Sequence, residues 1–286
     1  KGTNTMCDSD TDPAPGSGPP LGIGPYTCSP REGTLFVDHS RTGRSGHLGH
    51  ALVEYAPGKI LAFYANCSDH PGLNQHGDPW RGHNGDGWME YKRSEDGGRT
   101  WGEPVVLDYS KRAYEESHGQ RSVMCEKAVC ASDGSIVLFN LECDMATNKD
   151  WSPFWVPTCM RSLDNGASWT EPCPVGVARG RIFAAIVVQD SIFALQRGGG
   201  AYALHVSTNH GVSFSRRSAL PLSAAERCYG AMARLKDGRL IAYVYNSGDD
   251  CQLDYTISRD LGVTWDSPCQ ASFANKIRNP QIACFR

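Results

Sequence analysis

Ser94-Glu95-Asp96-Gly97-Gly98-Arg99-Thr100-Trp101 reads Ser-x-Asp-x-Gly-x-Thr-Trp, and the pattern returns three times. Ser162-Leu163-Asp164-Asn165-Gly166-Ala167-Ser168-Trp169 keeps it with Ser for Thr. Ser207-Thr208-Asn209-His210-Gly211-Val212-Ser213-Phe214 is a relaxed copy, and Ser258-Arg259-Asp260-Leu261-Gly262-Val263-Thr264-Trp265 is a full one. The Asp or Asn can accept hydrogen bonds from the backbone of its own turn, and the glycine supplies the positive φ that such a turn needs. The closing Trp or Phe is expected to start the next strand and to bury a large apolar face. One octet is a weak signal, but four in one chain predict a repeat architecture.

Working outward, each octet is preceded by a hairpin signal, an apolar strand running through a turn into a strand rich in apolar and aromatic residues. The copies are Ala51–Tyr64 around Pro57-Gly58, Ala128–Asn140 around Asp133-Gly134, Phe183–Gln196 around Asp190-Ser191 and Ala231–Tyr245 around Asp237-Gly238. The repeating unit is therefore strand, turn, strand, further strand, octet, strand. That is a four-stranded antiparallel blade, and such blades ring a central channel in β-propellers. The fold class expected is all-β, a propeller of six or seven blades with seven favoured. Residues 1–30, rich in Pro, Gly, Ser and Asp, read as an N-terminal arm, and residues 31–286 as the propeller domain. Arg278-Asn279-Pro280-Gln281-Ile282-Ala283 looks like the opening strand of another blade. The last blade is thus expected to be incomplete, its remainder missing or carried by a separate C-terminal fragment after cleavage.

The chain has 286 residues, 31 of them Gly and 17 Pro, with 40% hydrophobic residues and a net charge of −3. This is a turn-rich globular composition with no basic footprint for nucleic acid and no apolar run long enough for a membrane span. Its 12 cysteines are scattered without CxxC spacing. Several disulfides and a secreted, extracellular protein are the reading this favours, with the connectivity open. Asn66-Cys67-Ser68 is a glycosylation sequon.

Blade phase points to a site. The first strand of a blade lines the channel, so its start lies at one mouth. The residues at that phase are His47 and His50, then Glu126-Lys127, then Arg179 and Arg181, then Tyr229, then Arg278. A neutral imidazole there can act as a base. Two arginines at one rim suit a carboxylate in two-point contacts. Glu126 is either their counter-ion or a catalytic carboxylate. His83, in Gly82-His83-Asn84-Gly85, sits in a long loop expected to overhang the mouth, and with Asp86 it is also a weak metal-binding candidate. Trp80, Trp151 and Trp155, in long loops, are either loop packing or platforms for sugar faces. The stretch Tyr109–Met124 shows no clear strand.

The octet resembles the Asp-box of sialidase-like β-propellers, a fold that hosts several activities. Sialidases carry an Arg-Ile-Pro element, an Asp acid, a Glu–Tyr nucleophile pair and an arginine triad. Here the nearest element is Pro30-Arg31-Glu32-Gly33, and Tyr229 precedes Arg278 where sialidases have the last triad Arg before the Tyr. His47-Leu48-Gly49-His50-Ala51-Leu52-Val53-Glu54-Tyr55, Gly82-His83-Asn84-Gly85 and Trp88-Met89-Glu90-Tyr91 are more similar to the propeller-type polysaccharide lyases acting on uronate glycans, of the ulvan lyase and rhamnose–glucuronate lyase kind. That resemblance implies β-elimination. His50, His83 and Tyr229 would be catalytic, and Arg181, Arg278, His47, Glu126 and Arg179 would bind a polysaccharide or oligosaccharide bearing a carboxylate. No nucleotide or redox cofactor is implied, and a structural divalent cation is left open. The alternatives are an exo-glycoside hydrolase of the sialidase or rhamnosidase kind and a non-catalytic glycan-binding propeller.

Overall fold

A computed structural model describes residues 50–67, 87–145, 154–225, 227–246, 248–249, 251–275 and 277. The described residues build four antiparallel sheets of four strands each. The first holds β1 (Ala51–Ala56), β2 (Lys59–Cys67), β3 (Gly87–Ser94) and β4 (Val105–Val106). The second holds β5 (Arg121–Cys130), β6 (Ile136–Asp144), β7 (Thr158–Ser162) and β8 (Cys173–Pro174). The third holds β9 (Gly180–Val188), β10 (Ser191–Gly198), β11 (Ala201–Ser207) and β12 (Ser215–Ser223). The fourth holds β13 (Arg227–Arg234), β14 (Leu240–Asn246), β15 (Gln252–Ser258) and β16 (Cys269–Ser272). Within each sheet the strands lie in chain order, and the first strands β1, β5, β9 and β13 pack successively against one another. These are the blades of a β-propeller. The N-terminal arm, Trp80, Trp151 and the segment from Arg278 lie outside the described residues.

Strand composition follows position in the blade. β2 and β6, each with a strand on either side, are nearly continuous apolar runs: Leu61-Ala62-Phe63-Tyr64-Ala65 and Ile136-Val137-Leu138-Phe139 are all buried. β12, an outer edge, alternates toward solvent. The core divides into three clusters, one at each junction between consecutive blades. Leu61, Phe63 and Met89 meet Met124, Ile136 and Leu138; Val137 and Phe139 meet Ile182 and Ile192; Leu195, Tyr202 and Leu204 meet Leu240 and Val244. At about 25 cal/mol per Å² of apolar surface removed from water, these junctions are where burial stabilises the array.

The octets lie between the third and fourth strand of each blade, as expected. The Asp96, Asp164 and Asp260 carboxylates each accept from the backbone N–H and hydroxyl of the Thr or Ser four residues on, and from the preceding Ser hydroxyl. Asn209 reproduces the backbone part through its amide oxygen. The turn takes two successive left-handed residues rather than one: Gly97 and Gly98, Asn165 and Gly166, His210 and Gly211, Leu261 and Gly262 all have φ between 55° and 86°.

The second left-handed residue also touches the blade before it. A Cβ on Gly166 would stand 2.5 Å from Leu61, one on Gly211 2.7 Å from Val137, and one on Gly262 against Leu204. The aromatic residue does the same. The Trp169 ring lies 5.7 Å from Phe63 and 6.3 Å from Tyr91, Phe214 lies 5.5 Å from Phe139, and the Trp265 indole donates to Ser218. Trp101, Trp169 and Trp265 thus do not start the next strand but precede β4, β8 and β16, and Trp169 and Trp265 serve as staples to the preceding blade.

Two other expectations change. The stretch from Tyr109 contains a helix, α1 (Asp108–Glu116), and β5 already begins at Arg121. Asp108 in the first turn suits the positive end of the helix dipole, and the buried face is Tyr109, Ser110 and Ala113. Ser110 holds this helix in place by donating to the Val123 carbonyl at 2.7 Å and accepting from the Met89 N–H at 2.9 Å. Cys125, Cys130, Cys159, Cys173 and Cys269 are free thiols, so the expected disulfides are absent among these five described cysteines.

Candidate functional site

All four inner strands carry a β-bulge or register irregularity, and those of β5, β9 and β13 surround one guanidinium. In β5 the register steps from Cys125 opposite Asn140 to Lys127 opposite Phe139, leaving Glu126 without a partner. In β9 it steps from Ile182 opposite Gln196 to Ala184 opposite Leu195, leaving Phe183. In β13 it steps from Cys228 opposite Tyr245 to Ala231 opposite Tyr243, and Tyr229 in that gap takes a left-handed φ of 52°. A bulge re-aims a side chain that strict alternation would send elsewhere. Here Glu126 accepts from Arg181 at 2.9 Å (Nε) and 2.8 Å (Nη2). The Phe183 ring centroid lies 5.0 Å from the Arg181 guanidinium carbon and the Tyr229 ring 5.9 Å. Phe183 and Tyr229 meet edge to face at 6.1 Å.

The Glu126 and Arg181 side chains are 7% and 16% exposed. An ion pair so far removed from water costs desolvation energy that only close geometry offsets, and the ring faces add cation–π attraction. Lys127 is next in the chain. Burial pushes its ammonium pKa down, Glu126 opposes that, and Arg181 adds to it.

A second polar cluster starts at the first residue of β5. Arg121 donates to Glu142 Oε2 through Nε at 3.0 Å and Nη2 at 2.8 Å, and through Nη2 to the Tyr109 hydroxyl at 2.7 Å. Tyr109 donates to Glu142 Oε1 at 2.9 Å, and the Thr158 hydroxyl donates to the same oxygen at 2.6 Å. Burial and the Glu142 charge hold the Tyr109 phenol protonated far above neutrality. The Glu142 side chain is 1% exposed, whereas that of Arg121 is 42% exposed. Trp155 links this cluster to the next blade: its N–H donates to the Glu142 carbonyl at 2.7 Å and its carbonyl accepts from Gly180 at 3.0 Å. Its half-exposed indole carries the Arg179 guanidinium 4.9 Å above the ring.

The structure thus brings together Glu126, Arg181 and Tyr229 from three blades, and sets Arg179 beside Trp155. Glu126 stands in the body of β5, not at its start, and is the counter-ion of Arg181. His50 is exposed just before β1. His47, His83 and Arg278 lie outside the described residues, as does the Gly82–Asp86 metal candidate. Among the described residues no three His, Cys, Asp or Glu side chains are grouped to hold a metal ion. Sequence reading missed Tyr109, Arg121 and Glu142. An Arg at a strand start and a Glu inside the apolar run Ile136–Leu141 extending to Glu142 were the available signals, since a carboxylate in such a run needs a buried partner.

No protein-family model matches the chain, and no curated protein matches it. Solved structures do. A protein of unknown function from Dyadobacter fermentans superposes with a TM-score of 0.60 at 16% identity, over 79% of this chain and 68% of that one. The NanB sialidase from Streptococcus pneumoniae gives 0.57 at 11% identity, over 80% of this chain and 52% of that one. The leech intramolecular trans-sialidase gives 0.54 at 14% identity, over 83% and 53%. This chain spans about half the length of those two sialidases. At such identities the likeness speaks to architecture, and it shows that the chain has the sialidase-like β-propeller fold.

Proposed function

We propose that this chain is a carbohydrate-active enzyme that takes a glycan bearing a carboxylate where β5, β9 and β13 converge, and that it cleaves beside a uronate by β-elimination. The observation that carries the reading is the coincidence of three inner-strand bulges around Arg181. Bulges and a left-handed Tyr are locally unfavourable and concentrate where side chains must be aimed. The C5 proton of a uronate is hardly acidic while its carboxylate is charged, so a cation must neutralise that carboxylate and stabilise the developing enolate. Arg181 is already matched by Glu126; the pair forms a stiff floor under Tyr229. The neutralising charge then falls to Lys127, Arg179 and Arg278. Tyr229 or His50 takes the C5 proton, and a second group protonates the leaving sugar oxygen. Trp155 offers a face for a sugar ring with Arg179 at its side. No cofactor is needed for this chemistry, and a polymeric glycan substrate agrees with a secreted protein.

Hydrolysis of the sialidase or rhamnosidase kind is the second reading. It is favoured by the Tyr109–Glu142 contact beside Arg121, a phenol and carboxylate in hydrogen-bond reach as a nucleophile pair requires. Incubation with rhamnose–glucuronate glycans and with a sialoside separates the readings. β-Elimination leaves an unsaturated uronate that absorbs in the ultraviolet, whereas hydrolysis gives new reducing ends without it. Sialoside turnover alone would overturn the lyase reading, and binding without turnover would leave a glycan-binding module.

A further inference from the structure

Cys159 and Cys173 sit directly opposite each other on the antiparallel strands β7 and β8, with their sulfurs 3.2 Å apart. Facing positions on antiparallel strands keep Cα atoms about 4.5–5.5 Å apart, inside the range a disulfide spans. The chain between them contains the whole second Asp-box, Ser162 to Trp169, whose indole packs on Phe63 and Tyr91 of the first blade. On the other side the sulfurs contact the next blade's box, Cys159 toward the Gly211 carbonyl at 3.7 Å and Cys173 toward the Val212 carbonyl at 3.5 Å. The dithiol therefore lies under two of the turns that staple three blades together. Cys159 is buried and Cys173 is half-buried, so one sulfur is open to an exchange partner.

We propose that Cys159 and Cys173 are an oxidisable pair that closes to an intrachain disulfide by exchange with a low-molecular-weight disulfide such as glutathione disulfide, locking the edge strand β8 and the second Asp-box onto β7. The Cys173 thiolate attacks one glutathione sulfur and expels a glutathione thiolate, forming a mixed disulfide. Cys159, losing its proton to the expelled thiolate, attacks the Cys173 sulfur and expels the second glutathione. One glutathione disulfide becomes two glutathione thiols as the protein loses two hydrogens. The hydrogen bond shared by the two sulfurs, with the Arg161 charge nearby, lowers the Cys173 pKa. The same contact, and burial, raise that of Cys159, which makes Cys173 the first nucleophile.

The test uses the full chain, reduced and then incubated with glutathione disulfide. Remaining thiols are alkylated and the protein is digested without reductant and mapped by mass spectrometry. A peptide linking Cys159 to Cys173, lost on dithiothreitol treatment, is expected. Alkylation of both residues, or linkage of either to another cysteine, overturns the proposal. The oxidised protein should melt on the order of 5 °C above the reduced form, and Cys173→Ser should remove that part of the reductant-dependent shift. A linked peptide with no difference in melting would remove the stapling role. Should Cys173→Ser fail to fold, the wild-type peptide map still decides the pairing.

Discussion

Arg181 of β9 and Glu126 of β5, 55 residues apart in the chain, meet at 2.8 Å across the junction of two blades. Removing Glu126 leaves a guanidinium buried against the Phe183 and Tyr229 rings without its carboxylate. Glu126→Met is expected to cost about 3 kcal/mol in urea unfolding, and the double change of Glu126 and Arg181 to Met less than the sum of the two single changes to Met. Additive losses in that cycle would show that the two residues are not coupled.

The Asp-boxes set an acid limit. Hydrogen bonds from Thr100, Ser168 and Thr264 hold the Asp96, Asp164 and Asp260 carboxyls at about 2, below the ordinary value of about 3.9. A depressed folded-state pKa contributes stability that is present above the unfolded pKa and is lost as pH falls toward the folded one. Denaturation midpoints should therefore decline between about pH 4 and pH 2, and Asp164→Asn should flatten part of that decline. Asn209, which holds the third box with an amide, adds nothing to it. An unchanged slope in the Asn variant would contradict this assignment.

Gly211 and Gly134 share a left-handed backbone, φ 85° and 84°, but differ in surroundings. A Cβ on Gly211 meets Val137 of the preceding blade at 2.7 Å, whereas one on Gly134 meets nothing within 4 Å. Gly134→Ala is expected to cost about 1 kcal/mol of backbone strain, and Gly211→Ala roughly 2–4 kcal/mol because overpacking is added. Thermal unfolding of the two variants measures the difference, which reports the contact between blades.

Tyrosine substitutions divide the two chemistries. Under β-elimination, Tyr229→Phe should lower turnover of the uronate glycan by roughly a hundredfold or more if Tyr229 is the base, and Tyr109→Phe should alter stability more than rate. Hydrolysis through the Tyr109–Glu142 pair reverses the pattern. His50→Ala, at an exposed position, should leave the fold intact. Wild-type turnover in that variant would exclude His50 from the reaction.

The octets made the propeller legible because their chemistry is local. A carboxylate, a hydroxyl and a glycine within eight residues define one turn, whatever surrounds it. The hairpins were legible for the same reason, since the buried second strands are unbroken apolar runs between turn residues. Glu126, Arg181 and Tyr229 were grouped by a common strand start; they meet, but Glu126 does so from the body of β5, five residues after its start at Arg121.

What the local pattern could not decide is where each side chain points. Alternation with period two assigns a face, and every bulge reverses that assignment for one residue. Glu126, Phe183 and Tyr229 each sit at such a break, so their meeting around Arg181 depends on three registers at once. The partnership of Tyr109 with Arg121 and Glu142 needed in addition the short helix α1, whose polar residues carried no strand or helix signal and which is held by Ser110 between two blades. The two left-handed residues of each Asp-box follow the same division. The turn itself is written in the octet, but the demand for glycine at its second left-handed position comes partly from Leu61, Val137 and Leu204 in the blade before it. Local turn chemistry determined the repeat, and packing between blades decided the site.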